Sequence, residues 1–174
     1  METLEEIFQQ QFPRVEEKGC ITQTERRTFG IRDDVETEAA YLTDVEEGQF
    51  KVNNPQAKKL WFWQIDNCTF DSSQAKRCDC SLWDEQRILL LELKANAIGT
   101  SGRKRLRKKA NEQLEATLET IQEMIPDHYE RTAIICFNFQ NDYPATKTNS
   151  ADSALYFQET YQTDLQEGNA FTFE

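Results

Sequence analysis

Residues 76–94 constrain the fold of this chain more than any other stretch: Lys-Arg-Cys-Asp-Cys-Ser-Leu-Trp-Asp-Glu-Gln-Arg-Ile-Leu-Leu-Leu-Glu-Leu-Lys. Two apolar runs, 78–83 and 88–93, flank the polar stretch Asp84-Glu85-Gln86-Arg87, the pattern of a β-hairpin. Side chains alternate faces along a strand, so Glu92 and Lys94 share one face while Leu91 and Leu93 share the other. In the first run Asp79 points opposite to Cys78 and Cys80. A turn centred between Glu85 and Gln86 sets Asp79 directly across from Glu92, with Cβ atoms about 4.5–5.5 Å apart. Two carboxylates at that distance repel unless a cation lies between them, and hard divalent cations prefer oxygen ligands. Lys94 adds an ammonium two residues along the same face. The combination points to metal-assisted phosphodiester chemistry.

The neighbouring segments extend this reading. Leu60-Trp61-Phe62-Trp63-Gln64-Ile65-Asp66 is rich in aromatics and predicts a strand. A turn through Asp71-Ser72-Ser73-Gln74 then places Asp66 across from Asp79, giving a row Asp66, Asp79, Glu92 over three strands. Asp66 reads equally as a further site acid or as a turn-flanking, hydrogen-bonded one, because a one-residue slip would remove it from the row. After Lys94, Ala95–Gly102 reads as a loop, and a helix is expected over about 103–125, ended by Pro126. Its buried stripe is Ala110, Leu114, Leu118, Ile121 and Ile125. Gln113 lies at the edge of that stripe, one turn after Lys109. Arg131–Phe139 is a near-continuous apolar run, suited to a central strand covered on both faces.

Asp79, twelve intervening residues and then Glu92-Leu93-Lys94 resemble the motif of the PD-(D/E)xK nuclease superfamily, over roughly residues 60–139. The resemblance departs at Cys78, where the motif name has Pro. It implies an α/β, restriction-endonuclease-like αβββαβ core, a mixed central sheet flanked by helices, in a single domain over 1–174. It also implies metal-dependent hydrolysis of nucleic acid with Asp79, Glu92, Lys94 and Gln113 as catalytic residues. Mg²⁺ or Mn²⁺ would be held by Asp79, Glu92 and the Leu93 carbonyl, with Asp66 as a further ligand. The first helix often adds an acid in this family, for which Glu5 and Glu6 are candidates; solvated first-turn acids favoured by the helix dipole are the plainer account. The expected partner is nucleic acid, DNA before RNA, with a second copy or another protein left open. The alternative function is a catalytically inactive member of the fold acting as an acidic binding or regulatory subunit.

Charge bears on that choice. The chain carries 20 basic and 31 acidic residues, a net charge of −11, which suits a nucleic-acid binder poorly. Six of the basic side chains, Arg103, Lys104, Arg105, Arg107, Lys108 and Lys109, are gathered in one run. They form a local basic rim for a phosphate backbone, helped by the helix N-terminus, or else a solvated charge run. The 174 residues suit one domain with an ordinary core. No apolar run approaches the roughly 20 residues that span a bilayer, and the acidic N-terminus carries no secretory signal. The expectation is therefore a cytoplasmic protein with reduced, buried thiols. A zinc half-site of Cys78 and Cys80 with Cys68 is the alternative, although its one-residue spacer is unfavourable.

Elsewhere, residues 2–12 predict a helix stopped by Pro13. Thr28–Ile31 and Ala39–Val45 predict strands, the latter turning through Glu46-Glu47-Gly48 into Phe50–Val52 as a hairpin. His128, the single histidine, belongs to a surface loop. Residues 140–153 read as loop, and Ala154–Thr160 and Ala170–Phe173 as short strands joined through Gly168.

Overall fold

The computed structural model describes residues 1–34, 39–71, 76–94, 99–137, 146–147 and 151–174. The expected turn over 72–74 and most of the loops expected over 95–102 and 140–153 lie outside these residues. Among them the chain is mixed α/β, with two mixed sheets and four α-helices. The helices are α1 (Leu4–Gln11), α2 (Pro13–Lys18), α3 (Gly99–Ile121) and α4 (Ala151–Tyr161). The strands are β1 (Ile21–Thr24), β2 (Thr28–Arg32), β3 (Tyr41–Thr43), β4 (Phe50–Asn53), β5 (Leu60–Gln64), β6 (Cys80–Trp83), β7 (Arg87–Lys94), β8 (Glu130–Phe137), β9 (Thr146–Lys147), β10 (Thr163–Glu167) and β11 (Ala170–Thr172).

The larger sheet has the order β1-β5-β6-β7-β8-β10-β9, and the smaller β11-β4-β2-β3. β5, β6 and β7 run antiparallel in turn, and α3 carries the chain across to β8, which pairs with β7 in parallel. β7 is buried on both faces, as its unbroken apolar run requires. Ile88 and Leu90 face the core under the helices, whereas Leu89, Leu91 and Leu93 pack on the smaller sheet. The large sheet is thus the middle of three layers. No helix among the described residues is long and apolar enough to cross a membrane.

Several local expectations change. Pro13 ends α1 but also opens α2, because proline is well placed at a helix's first position. β3 and β4 do not pair with each other; both flank β2. A Cβ on Gly30 would stand 2.6 Å from the Gly48 Cα, so only glycines let β2 lie against the turn that leads into β4. The segment read as a strand over 154–160 is the helix α4, with Phe157 and Tyr161 buried at i, i+4 spacing. α3 starts at Gly99, earlier than expected. Cys20 and Cys68 form a disulfide with Cα atoms 5.8 Å apart, so Cys68 is neither a reduced thiol nor a zinc ligand. Cys78, Cys80 and Cys136 are buried thiols; burial pushes Cys136 up to about 12.

Candidate active site

The hairpin register follows the sequence reading: Cys80 pairs with Leu91 and Trp83 with Ile88. Just before β6, Asp79 straddles Glu92. Its amide donates to the Leu91 carbonyl at 3.1 Å, and its carboxylate accepts the Leu93 amide at 2.6 Å. Asp79 therefore clasps β7 on both sides of Glu92.

Glu92 continues the row Ile88, Leu90 that faces the helical layer, where each apolar neighbour gains about 1.5–3 kcal/mol from burial. A carboxylate there forgoes that gain and carries a desolvation penalty of several kcal/mol. Yet Glu92 is only 1 % exposed. Its Oε1 lies 2.7 Å from the Lys94 ammonium, while its Oε2 is buried with no hydrogen-bond partner among the described residues. A buried, unpaired acceptor is costly enough to call for a ligand or a role.

Asp66 reaches the site by a different route. Within β5 and β6 the pairing is Gln64 with Cys80, one residue out of step with the expected row. The amides of Ile65 and Asp66 then both donate to the Asp79 carbonyl, at 3.1 and 3.3 Å. This two-against-one pattern is a β-bulge, and the extra residue brings Asp66 back opposite Asp79. The turn holding Asp66 is fixed by Trp63 Nε1 donating to the Thr69 hydroxyl at 2.7 Å, and by the Cys20–Cys68 disulfide.

Across the helical layer, Gln113 on α3 accepts from Lys94 Nζ at 2.5 Å and donates to the Arg77 carbonyl at 3.2 Å. One turn on, the Thr117 hydroxyl accepts the Cys78 amide at 2.9 Å. α3 therefore fixes both the lysine and the segment leading into Asp79.

The acids repel one another. Burial pushes the Asp79 carboxyl up to about 7, helped by the charges of Asp33 and Asp66 and opposed by the Leu93 amide. Burial and then the Asp79 charge raise Glu92 well above the usual carboxylate range, even with Lys94 beside it. Burial also raises Asp66 and Asp33. Four acids share the Lys94 ammonium and the Arg77 guanidinium, and oxygen donors of this kind suit a hard divalent cation. In this conformation no three His, Cys, Asp or Glu side chains among the described residues are grouped to enclose an ion; the atoms that could hold one are the Asp79 and Glu92 carboxylates and the Leu93 carbonyl.

The remaining candidates divide. Glu6 caps α1 by accepting from the Thr3 amide, and Glu5 accepts from Trp61 Nε1 at 2.9 Å, so both first-helix acids have local structural partners. In the basic run, Arg103, Lys104, Arg105, Lys108 and Lys109 are exposed. Arg107 is engaged with buried Glu167 on β10 and lies 5.6 Å over the Phe137 ring, so it ties α3 to the sheet. The run begins on the fifth residue of α3, beyond the first turn where the helix dipole acts, so that expected contribution does not apply. His128 is exposed.

Two residues of this region were not anticipated. Arg77 stacks 4.5 Å over Phe70, and its charge lowers Asp66. Asp33 lies just past β2, and its charge helps raise Asp79. No protein-family model matches the chain, and neither does any curated protein or solved structure.

Proposed function

We propose that the protein is a divalent-cation-dependent nuclease that hydrolyses phosphodiester bonds of nucleic acid, DNA before RNA. The observation carrying this reading is the clasp of Asp79 around a fully buried Glu92 whose Oε2 lacks a partner. In its support, β5, β6, β7, α3 and β8 come in that order, with α1 earlier and α2 and β1–β4 between, and the restriction-endonuclease-like αβββαβ core implied by the Asp79…Glu92-Leu93-Lys94 motif has the same order from its first strand on.

In this reading Asp79, Glu92 and the Leu93 carbonyl would hold Mg²⁺ or Mn²⁺, with Asp66 as a further acid of the site. The cation, when bound, supplies Lewis-acid polarisation of the phosphate and a more acidic water. With a cation held by Asp79 and Glu92, Lys94 would be free of its ion pair with Glu92, and its ammonium would orient the attacking water and balance charge on the phosphate. Gln113 keeps the lysine in place. Exposed Lys104, Arg105, Lys108 and Lys109 grip the nucleic-acid backbone along α3, on the helix that also presents Gln113.

The test is cleavage of DNA and RNA, single- and double-stranded, with and without Mg²⁺ or Mn²⁺. Activity is expected only with the cation and is lost in Asp79→Ala, Glu92→Ala and Lys94→Ala. A folded wild type as inert as its variants on every substrate would overturn the proposal. The existing Glu92–Lys94 ion pair favours one second reading, an inactive acidic binding subunit. For that protein Mn²⁺ would leave thermal stability unchanged, whereas the nuclease gains stability by mass action.

A further inference from the structure

We propose that Arg77 binds a phosphate of the nucleic-acid backbone at the cleavage site; the inference rests on the nuclease reading above and adds a contact to the substrate. Arg77 is half-buried, and its guanidinium stacks 4.5 Å over the ring of Phe70. Phe70 closes the turn that carries Asp66, where its amide donates to the Ile65 carbonyl at 3.1 Å. The same ring packs edge-on against Phe12, with centroids 5.3 Å apart. The surface under the guanidinium is thereby tied to the junction of α1 and α2.

The main chain around Arg77 is fixed from α3. Gln113 donates to the Arg77 carbonyl at 3.2 Å, the Thr117 hydroxyl accepts the Cys78 amide at 2.9 Å, and Lys76 pairs with Glu112. One arm of the fork is spent locally, since Nη1 donates to the Lys76 carbonyl at 2.7 Å. Nε is buried with no hydrogen-bond partner among the described residues. Such a donor carries the cost of its lost hydration until an acceptor reaches it. The Nε and Nη2 edge of a guanidinium takes a phosphate through two parallel bonds. Glu92 Oε2 is the matching case, a buried acceptor without a partner. The two residues belong to one chain of contacts: Glu92 pairs with Lys94, Lys94 donates to Gln113, and Gln113 donates to the Arg77 carbonyl. One unmet group calls for a cation and the other for an anion. A nucleic-acid backbone and its counter-cation supply both.

The experiment uses wild type, Arg77→Lys and Arg77→Gln as full chains. Fluorescence anisotropy measures binding of short labelled DNA and RNA, single-stranded and duplex, without metal and at several salt concentrations; melting temperature and Mn²⁺-dependent cleavage are measured alongside. Arg77→Gln is expected to bind about ten-fold more weakly and to lower the salt slope by about 1, the loss of one phosphate contact. Arg77→Lys keeps the charge and the slope but loses the fork, and is expected to bind about five-fold more weakly. A mere counter-charge to the acids would be replaced by lysine, so an Arg77→Lys that binds like wild type overturns the inference. A residue that only holds the Phe70 turn would lower the melting temperature of both variants and leave the slope of Arg77→Gln unchanged, which also overturns it. A wild type that binds none of these nucleic acids overturns it as well, and whether that protein cleaves with Mn²⁺ decides separately whether the nuclease reading stands.

Discussion

The Asp79 carboxylate accepts the Leu93 amide at 2.6 Å, taking up a main-chain donor beside Glu92 just where β6 begins. That bond couples the folding of the hairpin to the charge state of the site, because a protonated carboxyl is a weaker acceptor than a carboxylate.

The catalytic roles predict a steep but uneven mutational series. Lys94→Ala should reduce cleavage by about 10²–10³-fold, the usual size of losing one preorganised charge at a reacting phosphate. Gln113→Leu should reduce it by about 10–100-fold with little change in melting temperature, because Lys94 would lose its anchor but keep its charge. Single-turnover rates, measured on proteins shown to be folded by circular dichroism, check both values.

Asp79 also predicts a pH dependence of stability. Its ordinary value is 3.8 and its folded value about 7, so between these the folded protein binds the proton more tightly than the unfolded chain. The stability tied to that proton is complete below about pH 4 and falls by up to about 1.4 kcal/mol per pH unit until about pH 7. Above that it is flat. Denaturant unfolding of wild type and Asp79→Asn across this range should show wild type losing stability relative to the variant as pH rises. Mn²⁺ at pH 8 should restore it.

The basic helix predicts two distinct phenotypes. Lys104→Ala and Lys108→Ala should weaken nucleic-acid binding and each lower the salt slope by about 1, without affecting stability. Arg107→Ala should mainly destabilise the fold, by about 3–5 kcal/mol, because it breaks the ion pair between Arg107 and buried Glu167 that ties α3 to β10. Fluorescence anisotropy at several salt concentrations, alongside chemical denaturation, separates these effects.

Cys20→Ser and Cys68→Ser should each cost about 2–4 kcal/mol. Reductant should lower the wild-type melting temperature and leave the variants unchanged. Because Cys68 follows Asp66 closely on the same turn, cleavage should fall with the same substitutions.

The hairpin was legible in sequence because a polar turn separates two runs whose charges fall in matching positions, and its pairing needed no distant information. Gln113 was placed by resemblance, and α3 sets it against Lys94. Asp66 shows a limit of counting residues through turns: the strand slipped by one position and the bulge at Ile65 restored it, so the expected row formed through a backbone device that side-chain pattern does not encode. Asp33 was hidden because β2 seemed to end at Ile31, and only the packing of one sheet on the other brings its charge within reach of Asp79. The α4 segment was misread because its aromatic residues suit strands, whereas Phe157 and Tyr161 are four apart and share a helical face. The disulfide was out of reach, since a separation of 48 residues says nothing about which chain segments pass side by side.

The Cys20–Cys68 bond also makes a covalent ring of the chain between them, and β2, β3 and β4 lie within that ring. A protease that clips one exposed loop inside it would open the ring without releasing a fragment. The nicked molecule would migrate as one band on a denaturing gel until thiol is added, and as two bands afterwards.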